Sequence, residues 1–403
     1  MYIILRDENA PFNAPALRPL EGFGPRPLEG PNFERAPLVA PPAPQIETAE
    51  LTPAETRDAL HDPSVRAIAR AMPTRLIAPM PADAASPATW GVAAIGADTS
   101  PFDGAGVRVA VLDTGIDEAH PAFAGVTLNT RDFSGDGIHD QNGHGTHCAG
   151  TIFGRPVDGT RIGVAPGVTD ALIGKVLGDD GSGSSEMLFN ALKWCSDANA
   201  QVISMSLGFD FPGLAADLQG QGLPPELATS IALEGYRMNL RMFDALMDML
   251  RAQADFNGGT IVCAAAGNES RRDIDPAFEV SVSVPAAAFG VVSVGALGET
   301  AGGLAIADFS NTNPTLSGPG VNILSAATGG GLVAFNGTSM ACPHVAGTAA
   351  LWWQAQRSSG SPATAAAVRA RLLASATASG IVPATDPIDR GQGLVQAPTN
   401  SMV

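Results

Sequence analysis

Four short patches carry residue types that together could run nucleophilic acyl transfer. Asp113 closes the apolar run Val109-Ala110-Val111-Leu112 and is followed by Thr114-Gly115. His144 stands between Gly143 and Gly145, ahead of Thr146-His147-Cys148-Ala149-Gly150. Ser339 lies within Gly337-Thr338-Ser339-Met340-Ala341-Cys342-Pro343-His344-Val345-Ala346-Gly347, and Asn268 ends Ala264-Ala265-Ala266-Gly267-Asn268. A serine hydroxyl is a weak nucleophile until a base takes its proton. Imidazole titrates near neutral pH, so His144 suits the base toward Ser339 and then the acid toward a leaving amine. A carboxylate accepting from the other ring nitrogen, here Asp113, fixes the tautomer and stabilises the imidazolium. The Asn268 amide and the backbone N–H of Ser339, at the start of a helix, suit the oxyanion of a tetrahedral intermediate. His147 and His344 read as structural.

Such groups need a rigid frame. From about Thr89 the chain alternates apolar runs of strand length with helical or loop segments. The runs are Val107–Leu112, Ala171–Val176, Val202–Met205, Thr260–Ala264 and Val291–Val294. Nearly continuous apolar strands joined by crossover helices imply an α/β fold, a mainly parallel sheet with helices on both faces. Asp113 then falls at the carboxyl end of a parallel strand, where sites of such sheets form. Pro343 is expected to be tolerated in the first helical turn after Ser339, where N–H groups have no helical partner.

The order Asp, His, Ser and the motifs around them resemble the subtilase family of serine endopeptidases, over about Thr89 to Ala397. Gly163-Val164-Ala165-Pro166 and Ser204-Met205-Ser206-Leu207-Gly208 extend the likeness. It implies a subtilisin-like three-layer fold and hydrolysis of peptide bonds through an acyl-enzyme. It also implies that Ser206, Leu207 and Gly208, with Ala264, Ala265, Ala266 and Gly267, flank the pocket for the residue before the cut bond and pair with the substrate backbone as an added strand. A gapped alignment puts Ser283 near the base of that pocket. Cys148 resembles the proteinase K-like branch, in which a free thiol lies under the histidine. The family's structural calcium is a weaker expectation. Its usual Asp, nine residues past Asp113, falls on Ala122, and the loop Pro156-Val157-Asp158-Gly159-Thr160 lacks the usual Asn ligands, leaving Asp158 as a candidate for a different site. No metal ligand set is read, and no cofactor is required.

The rest of the chain sets bounds. It has 403 residues and a formal net charge of −17, which argues against a nucleic-acid partner, because phosphate binding needs Lys/Arg patches. No apolar run approaches the roughly 20 residues that span a bilayer. Asp7 and Glu8 interrupt the apolar start at once, without the basic and long apolar regions of a signal peptide, so the expected location is cytoplasmic. Cys148, Cys195, Cys263 and Cys342 show no zinc spacing and read as buried free thiols.

Residues 1–45 are expected to be a Pro-rich irregular segment. In 46–85, a strand at Ile46–Leu51, a helix capped by Thr52 with Pro53 and Glu55, and a strand at Val65–Ala69 resemble the second half of a subtilase propeptide. The earlier strand and helix of such a domain are not legible, so a plain structural extension stands beside that reading. Leu76-Ile77-Ala78-Pro79 resembles the short inhibitory extension of intracellular subtilisins. Residues 1 to about 85 are therefore expected to cover the cleft of an 86–403 peptidase domain, the chain's own segment acting as inhibitor. The enlarged region 209–258, with a helix from Thr229 to about Asp255 and Met238, Met242, Leu246 and Met249 on one face, reads as core packing or as a lid. A dedicated maturation peptidase with one peptide target, or a non-catalytic binding protein of the same fold, are the alternatives.

Overall fold

The computed structural model describes residues 1–7, 41, 43–82, 89–360, 362–400 and 402. The Pro-rich reading of 8–40 lies outside the described residues. The frame is an eight-stranded sheet. Strands Thr127–Asp132, Asp170–Lys175, Arg108–Asp113, Val202–Met205, Ile261–Ala265 and Val292–Thr300 run parallel in that spatial order, and Leu316–Pro319 pairs parallel with Val292–Thr300. Gly303–Ile306 closes one edge antiparallel.

Alternation along the strands sorts the side chains onto two faces. Val109 and Val111 enter a core shared with helices His144–Phe153 and Thr338–Ser358. Ala110 and Leu112 enter a second core shared with helices Ser185–Asp197 and Pro225–Ala252. The α/β expectation therefore holds, and the strands fall within about a residue of the apolar runs at their starts.

The N-terminus departs from the expected irregular segment. Tyr2–Arg6 is the central strand of a second sheet, antiparallel to Gln45–Ala49 on one side and Val65–Arg70 on the other. Alternation decides this. Ile3 and Leu5 are fully buried and belong to the same core as Met242, Phe243 and Leu246. Helix Pro53–Leu60 follows a capping box in which Thr52 N–H donates to Glu55 Oε2 at 2.8 Å and Glu55 N–H donates to Thr52 Oγ1 at 3.3 Å.

The enlarged region forms helices Phe211–Gly220, Pro225–Ala252 and Ala254–Asn257. The long helix starts at Pro225, whose missing N–H would have had no helical partner there. It packs against Val65–Arg70, and Asn239 Nδ2 donates to Arg70 O at 2.8 Å. Met242 is buried and Met238 partly so, both in the second core. The helix is a platform between the N-terminal sheet and the main sheet. Among the described residues no helix is long and apolar enough to cross a membrane.

Candidate active site

The chain after the N-terminal sheet enters a groove in the body. Pro73–Leu76 is the middle strand of a three-stranded sheet, antiparallel to Leu207–Phe209 and to Ser182–Ser184. Leu76 faces Leu207 and Arg75 faces Gly208, and Ile77 N–H reaches Ser206 O at 3.4 Å. Beyond this point Met80–Pro81 pairs antiparallel with Leu332–Asn336, and Asn336 Nδ2 donates to Pro81 O at 2.7 Å. Residues 73–81 thus cross the groove from one edge to the other. The four motif residues lie beneath the middle of that path.

Asp113 ends its parallel strand and is buried. Its Oδ1 accepts from His144 Nδ1 at 2.7 Å and from Thr114 N–H at 2.8 Å. His144 is the first residue of its helix. The glycine after it is required by contact, because a Cβ on Gly145 would run into Gly115 O. Asp140, not singled out in the sequence, organises this helix start. It is fully buried and accepts from Gly143 N–H at 2.8 Å, Thr146 N–H at 2.8 Å, Thr146 Oγ1 at 2.7 Å and Thr114 Oγ1 at 2.9 Å. The signal was available as an Asp just ahead of a helix start.

Ser339 is the second residue of Thr338–Ser358 and is fully buried under the crossing chain. Its hydroxyl donates to Ile77 O at 3.0 Å, while His144 Nε2 has no hydrogen-bond partner. Asn268 Nδ2 donates to the next carbonyl, Ala78 O, at 3.1 Å. Thr338 sets the amide's orientation: its N–H and its Oγ1 both donate to Asn268 Oδ1 at 2.9 Å, so the NH₂ end turns to the groove. Thr338 was the second residue that motif reading passed over.

The place of Pro343 needs correction. Pro343 is the sixth helical residue, past the first turn, so the carbonyl of Ser339 loses a helical N–H partner. Ser206 Oγ at 3.3 Å and Cys148 Sγ at 3.5 Å donate to it instead. Among the described residues, Ala264–Gly267 give no backbone pairing to the crossing chain. Ala266 N–H is bonded to Val294 O, Ala266 O accepts from Ser283 N–H at 3.3 Å, and Gly267 O accepts from Asn311 N–H. The second pairing edge is Ser182–Ser184, a short run without strand propensity that sequence reading missed. Ser283 and Ile77 both lie close to Gly208: a Cβ built there would be 3.5 Å from Ser283 Oγ and 3.9 Å from Ile77 Cγ1.

Burial fixes the remaining ionisable groups. His147 is pushed down to about 3, chiefly by desolvation, and its Nε2 lies 3.0 Å from Ile323 O. His344 is pushed down to about 4 by desolvation, with Nδ1 2.8 Å from Met340 O. Both are neutral structural groups. Desolvation, then the Asp113 charge, drives the Cys148 thiol well above its usual range, so it stays protonated 3.8 Å from His144 Nδ1. All four cysteines are free and buried.

The corner expected for calcium does not fit the ion. Ala122 is buried, and the carbonyls nearby already face guanidinium groups. Arg155 Nη1 donates to Phe153 O at 2.8 Å and Val168 O at 2.9 Å, and Arg161 Nη2 to Ala97 O at 3.0 Å. Asp158 is exposed. Among the described residues, the His, Cys, Asp and Glu ligand atoms gather in threes only at Asp113, His144 and Cys148.

A parallel α/β sheet with this Asp–His pair and a serine at a helix start is an arrangement found in serine hydrolases. Comparison with known proteins gives the family: the chain belongs to the subtilase family, whose model matches residues 104–394. It is 33% identical over 324 residues to the thermostable alkaline protease of Halalkalibacterium halodurans, covering 79% of this chain and 73% of that protein. It is 36% identical over 257 residues to the major intracellular serine protease of Bacillus subtilis, covering 62% and 68%. An extracellular serine proteinase of a Thermus species is 36% identical over 285 residues, 67% of this chain and 58% of that one. The chain is a subtilisin-like serine endopeptidase.

Proposed function

We propose that Ser339 attacks the peptide carbonyl, His144 moves the proton, Asp113 orients the imidazole, and Asn268 with the Ser339 N–H holds the oxyanion. An acyl-enzyme forms and water resolves it. We propose further that residues 1 to about 85 restrain this machine until they are cut. The observation that carries the reading is the hydrogen bond from Ser339 Oγ to Ile77 O, made by a chain that runs through the groove as an added antiparallel strand.

The contact is substrate-like in path and unproductive in detail. The Ile77 oxygen takes the hydroxyl proton that His144 Nε2 would otherwise share, and the Asn268 amide is engaged one residue later, at Ala78 O. Pro79 adds to the resistance, because it lacks an N–H and its ring restricts the chain beside the cleft. The bond between Ile77 and Ala78 is the one nearest the nucleophile. Intact-mass measurement of wild type and Ser339→Ala after incubation at neutral pH tests both proposals. Loss of roughly 80 residues from wild type alone is expected. Retention of full length by wild type removes the self-cleaving reading.

The cytoplasm is the proposed location, supported by the relatives named as intracellular proteases in Bacillus subtilis and Paenibacillus polymyxa. Cell fractionation checks it. Catalysis needs no metal in this reading, and the Arg155 and Arg161 contacts support a fold that stands without calcium. A melting temperature that drops by many degrees in EGTA would reverse that view.

A further inference from the structure

Arg75 is the third residue before the Ile77–Ala78 bond, and its side chain reaches between two carboxylates of the peptidase body. Arg75 Nη1 lies 3.5 Å from Asp210 Oδ1 and Nη2 lies 3.8 Å from Glu269 Oε1. We propose that Asp210 and Glu269 form a specificity subsite for a basic residue at the third position before the cut bond. The proposal rests on the reading that residues 73–81 trace the substrate path.

Both carboxylates are held in place by the body itself. Asp210 caps helix Phe211–Gly220, accepting from Gly213 N–H at 2.9 Å, so the enlarged region supplies one wall of the subsite. Glu269 follows the oxyanion asparagine directly, and its Oε2 accepts from Asn311 Nδ2 at 2.7 Å. Glu269 is held without the inhibitory segment, whereas Asp210 also gives its N–H to Pro73 O at 2.9 Å, so its backbone is shared with the chain in the groove. Arg75 itself is held by backbone pairing to Gly208 and Ser182, so any chain in this path presents its third side chain at the same place. The two arginines that follow Glu269 closely in sequence are already engaged: Arg271 with Asp273, and Arg272 with Glu279 and Asp389. A basic side chain thus meets two fixed negative charges, an acidic one meets repulsion, and the chain's net charge of −17 adds steering in the same sense.

The test uses the full chain after incubation at neutral pH, with reactive serine counted by a fluorophosphonate. Internally quenched peptides of the form Thr-Xaa-Leu-Ile-Ala-Ala carry Arg, Ala or Glu at Xaa. The expected kcat/KM ratio of Arg over Glu is about tenfold at low ionic strength, the scale of two partly exposed ion pairs, and it shrinks in 1 M salt. The double variant Asp210→Asn with Glu269→Gln keeps both acceptor oxygens and should bring the ratio close to one. A labelled serine with equal rates for the Arg and Glu peptides overturns the subsite and leaves the proposed function standing. An incubated chain that neither labels nor cleaves removes the proposed function, and the subsite with it. If the double variant does not fold, the wild-type ratio and its salt dependence decide alone.

Discussion

The N-terminal sheet and the groove-crossing segment belong to one stretch of chain but are held by different physics. The sheet rests on apolar burial: Ile3, Leu5, Ala69 and Met72 join the core of the long helix, while its ion pairs stay near the surface. The segment at 73–81 buries Ile77 in the first core, but what sets its register is backbone hydrogen bonding together with its contacts to Ser339 and Asn268. Burial is non-directional and tolerates change, whereas strand pairing fixes register. The sheet therefore sets how firmly the N-terminal region stays on, and the segment sets which bond faces Ser339.

The largest test of this division is Ser339→Ala. Peptide hydrolysis should fall by on the order of 10⁶-fold, the size known from subtilisin itself, and the chain should stay uncut with an unchanged melting temperature. Asn268→Ala comes next. Hydrolysis should fall by about 10² to 10³, again the size known for the oxyanion asparagine of subtilisin, measured as kcat on a short peptide. A variant that loses activity only through KM would put Asn268 on the binding side of the comparison.

Leu5→Ala probes the other half. Truncating a buried leucine costs about 2 to 5 kcal/mol, here within the N-terminal sheet. The expected outcome is faster peptide hydrolysis by the freshly purified full chain, with the fully processed enzyme unaltered. Unchanged initial activity would mean that the groove segment holds without the sheet.

The smallest effect concerns acid. Asp62 is lowered to about 2, first by its hydrogen bond from Arg6 and then by Ser64. A carboxylate depressed on folding stabilises the native state above its unfolded pKa of about 4, and that contribution is lost as pH falls toward 2. Limited proteolysis of the sheet should therefore rise between pH 4 and 2. Asp62→Asn should flatten that rise, and the group's exposure keeps the effect modest.

The sequence made the main sheet legible because its strands are continuous apolar runs, as at Val202–Met205. It did not reveal Tyr2–Arg6, whose partners lie some forty and sixty residues away and which is followed from Pro11 onward by a proline-rich stretch. Nor did it reveal Ser182–Ser184, whose strand form rests on pairing with Pro73–Leu76 and a single bridge to Leu177. In the site, Asp113, His144, Ser339 and Asn268 announce themselves by glycine-flanked motifs. Asp140 and Thr338 act through hydrogen bonds to backbone and amide groups, and such roles have no signature until the fold brings the partners together.

The crossing strand at Met80–Pro81 and the helix Trp90–Ala94 are parts of one covalent chain, nine residues apart from Pro81 to Trp90. A tether of that length spans at most about 30 Å and keeps the segment at an effective concentration on the order of millimolar beside the groove. Dilution leaves that value untouched. The self-cleavage proposed above would then be a unimolecular event, with a half-time that stays constant when the protein is diluted a hundredfold, whereas every later substrate would arrive by collision.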